Sequence, residues 1–215
     1  ALLVCCLGLV CFRLPASAVS AATRVDFTGT VNIDGDCMVS LQMNLHLDNP
    51  DADLYYPLPA KAANITVNGS SPAVTRSGNT NLVSLNRITG GQAGDYVVTI
   101  TYTLPKVVAV AVSDTGIVDK KTLNLSLDIL SGFSYPISTM TYTITLPGDF
   151  PQTPDFYSTY RQNGLASELN LLIDGKMLTG STKNGFNDHE SVTMTMSLSP
   201  DMFPGVSTYQ RTGNP

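Results

Sequence analysis

Apolar and polar residues alternate with a period of two along most of this 215-residue chain, while a helical period barely appears. The clearest run sets Val39, Leu41, Met43, Leu45 and Leu47 against Ser40, Gln42, Asn44, His46 and Asp48. Neighbours on a strand point to opposite faces, so this strand has one apolar and one wet side. Upstream, Val25, Phe27, Val31 and Ile33 alternate with Asp26, Thr28, Thr30 and Asn32. Asp34-Gly35 between the two runs predicts a tight hairpin turn with φ > 0 at both central positions. Further strands are expected at 65–67, 82–88, 96–104, 122–129, 139–146 and 192–198, with weaker signals at 167–177 around Asp174-Gly175. In 139–146, Met140, Tyr142, Ile144 and Leu146 should face a core and the four threonines between them solvent. Tyr-Pro at 56–57 and at 135–136 marks entry into a strand, because proline lacks the N–H that a ladder needs. The proline-rich 146–157 reads as a long crossover loop, and LPKVVAVAV at 104–112 as a buried strand or bulged connection.

Eight or nine short strands of this kind, each with one Thr/Ser-rich face, must hide their apolar faces against a second sheet. The expected fold is all-β: an antiparallel β-sandwich, with a β-barrel as the alternative. No linker-like shift in composition divides the chain, so 22–215 is expected to be a single domain.

Residues 1–21 form a separate stretch, with an apolar run from Leu2 to Phe12 followed by Ala16-Ser-Ala18 or Val19-Ser-Ala21. The run is too short for a bilayer, which needs about 20 helical residues, and reads as a signal-peptide remnant. Its removal takes Cys5, Cys6 and Cys11 and leaves Cys37, so a disulfide scaffold is excluded. A near cysteine-free exported chain points to a bacterial surface, where the sequons at Asn64, Asn68 and Asn124 have no meaning. Composition agrees: 43% of residues are hydrophobic and only 13% charged, so hydroxyls and amides supply the polarity. A net charge of −5 provides no basic footprint for nucleic acid.

Candidate chemistry is sparse. Asp114-Thr-Gly116 matches an aspartic-protease tripeptide, yet that reaction needs two carboxylates sharing a proton and the chain has one such tripeptide. Asp188-His189-Glu190-Ser191 sets acid, base and hydroxyl side by side, but adjacent residues on a strand face apart, so a polar turn is the simpler reading. His46 and His189 are the only histidines, too few with one cysteine for a zinc site. Asn32, Asp34 and Asp36, or Asp48, Asn49, Asp51 and Asp53, offer oxygens to calcium without a specific loop spacing. A glycan-binding sandwich would need an aromatic platform; there is no Trp, leaving Tyr55, Tyr56, Tyr157 and Tyr160. No catalytic, cofactor-binding or metal residue is assigned, and no cofactor is expected.

In order along the chain, VDFTGTVNIDGDCMVSLQMNLHL, YYPLPAKAANITVNG, GDYVVTITYTL, the Pro136-Ile137 strand ending in Leu146-Pro147-Gly148, and VTMTMSLSPDMFPGV resemble the extracellular N-terminal domain of the DUF2207 family of predicted bacterial membrane proteins. The chain departs from that pattern in lacking the Trp often found before Pro-Ile. The family continues into transmembrane helices, and nothing after Val206 begins one here. The resemblance carries no catalytic residues. It implies a non-enzymatic extracytoplasmic domain of a membrane-anchored envelope protein on the outer face of the bacterial membrane, interacting with a protein or cell-envelope partner or supporting structure. An adhesin or pilin-like subunit or a glycan-binding module is the alternative. An envelope hydrolase is the rival, and it requires Asp114, Asp188 or His189 to meet another titratable group in a cleft.

Overall fold

The computed structural model describes residues 22–50, 53–112, 118–161 and 165–206. Fourteen strands form among them. The first half of the chain contributes β1 (Arg24–Val31), β2 (Cys37–Leu47), β3 (Tyr55–Pro59), β4 (Ala63–Val67), β5 (Val74–Ser77), β6 (Thr80–Ser84), a one-turn helix α1 (Asn86–Thr89) and β7 (Gly94–Leu104). The second half contributes β8 (Val108–Val112), β9 (Val118–Ser131), β10 (Thr139–Thr145), β11 (Asp155–Ser158), β12 (Leu169–Asp174), β13 (Met177–Thr182) and β14 (Ser191–Leu198).

The alternation read from the sequence is the packing pattern. In β2, Cys37 and every second residue to Leu47 are buried, and the outward face is polar apart from Met38. Met140, Tyr142, Ile144 and Leu146 are buried as expected. A seven-stranded sheet runs β12-β13-β10-β1-β2-β7-β4; a four-stranded sheet runs β11-β14-β9-β8, and a three-stranded one β3-β6-β5. Their buried faces share one hydrophobic core. Tyr142 of the large sheet meets Phe156 of the four-stranded sheet at 5.8 Å between ring centres, and Tyr56 of the small sheet meets Phe133 beyond β9 at 5.4 Å. The fold is all-β, with no closed barrel.

Several details differ from the sequence reading. Strands outnumber the eight or nine expected: β3, the wholly exposed β5 and the four-residue β11 are additional, 104–112 contains β8, and 167–177 divides into β12 and β13 around the Gly175-Lys176 turn. The seven-stranded sheet is mixed, since β1 and β10 pair in parallel, Val25 beside Met140 and Phe27 beside Tyr142. The β1–β2 connection is a loop over 32–36 in which only Gly35 has positive φ, +79°. Asn32 Oδ1 accepts the N–H groups of Asp34 and Asp36, both at 3.0 Å, and this side-chain turn replaces the tight hairpin. Residues 82–88 divide into β6 and α1. There Asn86 Oδ1 accepts the Leu54 N–H at 2.8 Å and Gly90, at φ +59°, ends the helical turn. Pro57 and Pro59 lie within β3 rather than only at its start, which its place at the edge of a sheet allows.

Candidate functional site

Charged side chains are few, and three places among the described residues bring polar groups from distant stretches together. The first is a clasp around Glu190. Arg161, just after β11, directs Nε at Glu190 Oε1 (3.0 Å) and Nη2 at Oε2 (3.3 Å). Nη2 also donates to the Gly185 carbonyl at 2.6 Å, and Nη1 pairs with Glu168. The guanidinium stands 5.3 Å over the Phe186 ring. Glu190 is fully buried and also accepts from Ser158 Oγ (2.5 Å), Asn187 N (2.9 Å) and Asn187 Nδ2 (3.3 Å). A carboxylate has about four lone-pair positions, and these donors occupy them, so Glu190 is held as a structural anion. Its neighbours Asp188 and His189 are exposed on the turn, His189 with φ +57°. Acid and base thus point to water while the glutamate points inward, and the adjacent trio does not assemble. Asp114 lies outside the described residues.

The second place is the outer face where β2 meets β7. His46 stands opposite Asp95 and offers Nδ1 to its carboxylate at 2.7 Å and Nε2 to Asp48 at 3.0 Å. With a carboxylate on each ring nitrogen, the imidazolium is favoured, and the Asp95 hydrogen bond leads in pushing the His46 pKa up. A groove of about 460 Å³ opens beside it, lined by His46, Asp48 and Asn49 together with residues 22–23 and 135–138. Three of the other oxygen donors weighed for calcium have internal duties. Asp53 accepts from Asn86 Nδ2 at 2.9 Å, Asp36 from the Lys106 N–H at 2.8 Å, and Asn32 from its own loop. Asp51 lies outside the described residues. Among the described residues no three His, Cys, Asp or Glu side chains are grouped to hold a metal ion.

The third place joins two distant stretches. The Asp34-Gly35 loop packs against the closing Pro-Asp-x-Phe-Pro-Gly segment: Gly205 N–H bonds the Ile33 carbonyl at 3.2 Å, and Phe203 is buried. A Cβ on Gly205 would fall 1.9 Å from Asp34 Oδ1 and 3.0 Å from Asp34 Cα, so the loop packs closely over the bare glycine. Val108 N–H reaches the Gly35 carbonyl at 3.2 Å from the start of β8. The two stretches that open and close the sequence resemblance are therefore one packing unit.

Residues 21–209 match the family model described as "Predicted membrane protein (DUF2207) N-terminal domain". The chain belongs to the DUF2207 family. No curated protein matches it. Among solved structures, this DUF2207 domain is similar to an aminopeptidase N family protein from Idiomarina loihiensis at 12% identity and a TM-score of 0.35, covering 79% of this chain and 29% of that one. It is also similar to an M1 zinc metallopeptidase from Deinococcus radiodurans at 10% identity and a TM-score of 0.33, covering 80% and 41%. The chain thus spans less than half the length of either, and likeness at this level carries no argument about activity. No helix among the described residues is long and apolar enough to cross a membrane.

Sequence reasoning missed the clasp. Arg161 and Glu190 lie 29 positions apart, and the only signal was the scarcity of charge, which makes each buried ion informative.

Proposed function

We propose that this DUF2207 domain is a non-enzymatic, extracytoplasmic interaction module of a membrane-anchored bacterial envelope protein. The observation behind this reading is where its ionisable groups sit. Glu190 and Arg161 are spent on internal bonds, His46 on a cross-strand bridge, and Asp188 and His189 stand on an exposed turn. What the molecule offers outward is sheet surface rich in Thr and Ser, suited to contact rather than proton transfer. The leader-like residues 1–21 and the family's description as membrane proteins support export and anchoring. The test is turnover of ester, peptide and glycan substrates by the purified chain. The expected result is none above background; turnover that falls in Asp188→Ala or His189→Ala would overturn the reading.

Glycan binding is favoured by one observation. Tyr157 and Tyr160 are each 58% exposed near the outer face of the four-stranded sheet, which also bears Asn124, Ser126 and Thr195. Tyr56 does not share in it, being buried in the core. Retention on immobilised envelope polysaccharide that is lost in Tyr157→Ala supports this reading; no retention removes it.

A further inference from the structure

Unpaired strand edges invite other strands, and proteins blunt them with prolines, charges, bulges or shortness. The other edges of this molecule are blunted in these ways. β4 has a register break between Ala63 and Thr66, and β8 one between Val110 and Ala111. β3 contains Pro57 and Pro59, β5 carries Arg76, and β11 has four residues directly after Pro154. β12 is different. It closes the seven-stranded sheet, pairs with β13 without a register break, contains no proline, and carries its one charge, Asp174, at its last residue beside the turn. Leu172 on its outer face is 66% exposed. Leu171 and Ile173 on the inner face are only partly buried.

The two-residue Gly175-Lys176 turn fixes which backbone groups are free. Asp174 pairs with Met177 across it, so residues 170, 172 and 174 bond to β13, while the N–H and C=O groups of Leu171 and Ile173 point away from the sheet. A strand added here must bond at those two positions. The sequence of β12 itself meets that demand. Set antiparallel to a second copy about a two-fold axis through Leu172, it opposes Leu171 with Ile173 twice, making both hydrogen-bonded pairs. Leu172 meets its own twin on the outer face, and the Asn170 amide meets the Asp174 carboxylate on either side. Apolar groups fall against apolar ones and a donor against an acid, with no like charges opposed.

We propose that two copies of this chain associate edge to edge through β12, in the register centred on Leu172, joining their seven-stranded sheets into one. A closed two-fold contact of this kind uses the same edge on both partners and ends the assembly at two. The inference stands independently of whether the domain is extracytoplasmic.

Mass in solution and one cross-link test it on the full chain. Light scattering on a sizing column should give twice the chain mass. Leu172→Lys should give the single-chain mass with an unchanged circular dichroism spectrum. In this register residue 172 is a non-hydrogen-bonded pair with its twin, with Cα atoms about 4.5 Å apart, within disulfide reach. Leu172→Cys should therefore form an intermolecular disulfide on mild oxidation. Asn170→Cys should not cross-link to itself but should cross-link to Asp174→Cys in a mixture. The wild-type chain controls for the leader cysteines, and Cys37 is buried. A single-chain mass for the wild type, or a double mass that survives Leu172→Lys, overturns the proposal. Failure of the Leu172→Cys cross-link in a double-mass sample also overturns it.

Discussion

Glu190 lies without solvent contact among donors from Arg161, Ser158 and Asn187, and its removal leaves the half-buried Arg161 guanidinium with Glu168 and the Gly185 carbonyl. Breaking a fully buried pair typically costs about 3–5 kcal/mol, and with Arg161 still paired the lower end of that range applies. Glu190→Ala should lower the unfolding free energy by that order in urea titration, while Asp188→Ala two residues away should stay within about 0.5 kcal/mol. A small loss in Glu190→Ala would show that the clasp is dispensable. His46 makes a prediction in pH. Hydrogen bonds from its ring N–H groups to Asp95 and Asp48 raise its folded-state pKa above the ordinary 6.5, so the folded state holds the proton more tightly than the unfolded chain. The bridge therefore contributes fully at pH below about 6.5 and fades as pH rises through the raised value. An NMR titration of the His46 ring should give a midpoint above 6.5 that drops in Asp95→Asn; a midpoint at or below 6.5 contradicts the bridge. Tyr142 has a buried hydroxyl with no hydrogen-bond partner, and burial alone pushes its pKa up. Tyr142→Phe should be neutral or stabilising, since an unpaired buried hydroxyl costs about 1–3 kcal/mol. The Tyr142 ring lies over Gly180 on the paired strand, where a Cβ would fall 2.2 Å from it. Gly180→Ala should destabilise by about 1–3 kcal/mol through overpacking. Among these residues the outer-face position of His46, the core-facing position of Tyr142 and the polar turn at Asp188 could be read from the sequence. The clasp and the glycine under Tyr142 depend on which strands become neighbours, which alternation does not encode.

At the scale of elements, strands buried on one face were legible because burial imposes period two on them. β2, β7, β10 and β14 follow that rule nearly throughout. Elements held by other forces were not. Leu85 to Thr89 carries apolar residues that fit a strand, yet Asn86 and the left-handed Gly90 bend it into a helical turn. The parallel pairing of β1 with β10 escaped because a strand reads the same whichever way its neighbour runs. The contact between the Asp34-Gly35 loop and the closing segment is a packing claim at this scale. Gly205→Ala should cost about 1–3 kcal/mol and release the closing segment, seen as faster amide exchange at the Val206 and Gly205 N–H groups. Unchanged exchange would mean that the segment adapts without the glycine.

At the scale of the whole molecule, the order of β-patterns along the chain identified the family, and the meeting of its first and last elements gives that order a physical basis. Partner and ligand stayed out of reach because outward Thr and Ser faces serve solubility and recognition with the same residues. The central claim, that this DUF2207 domain lies on the outer side of the membrane, can be tested with one engineered thiol. Cys37 is buried, and burial pushes its pKa up to about 12, so it is inert to thiol reagents near neutral pH. The exposed turn residue Asp188 can carry a reactive one. Intact cells expressing full-length Asp188→Cys should react with a membrane-impermeant maleimide, above the level of the wild-type protein with its Cys5, Cys6 and Cys11, to the same extent as lysed cells. Labelling of Asp188→Cys that appears only after lysis would place the domain inside the cell and contradict the account.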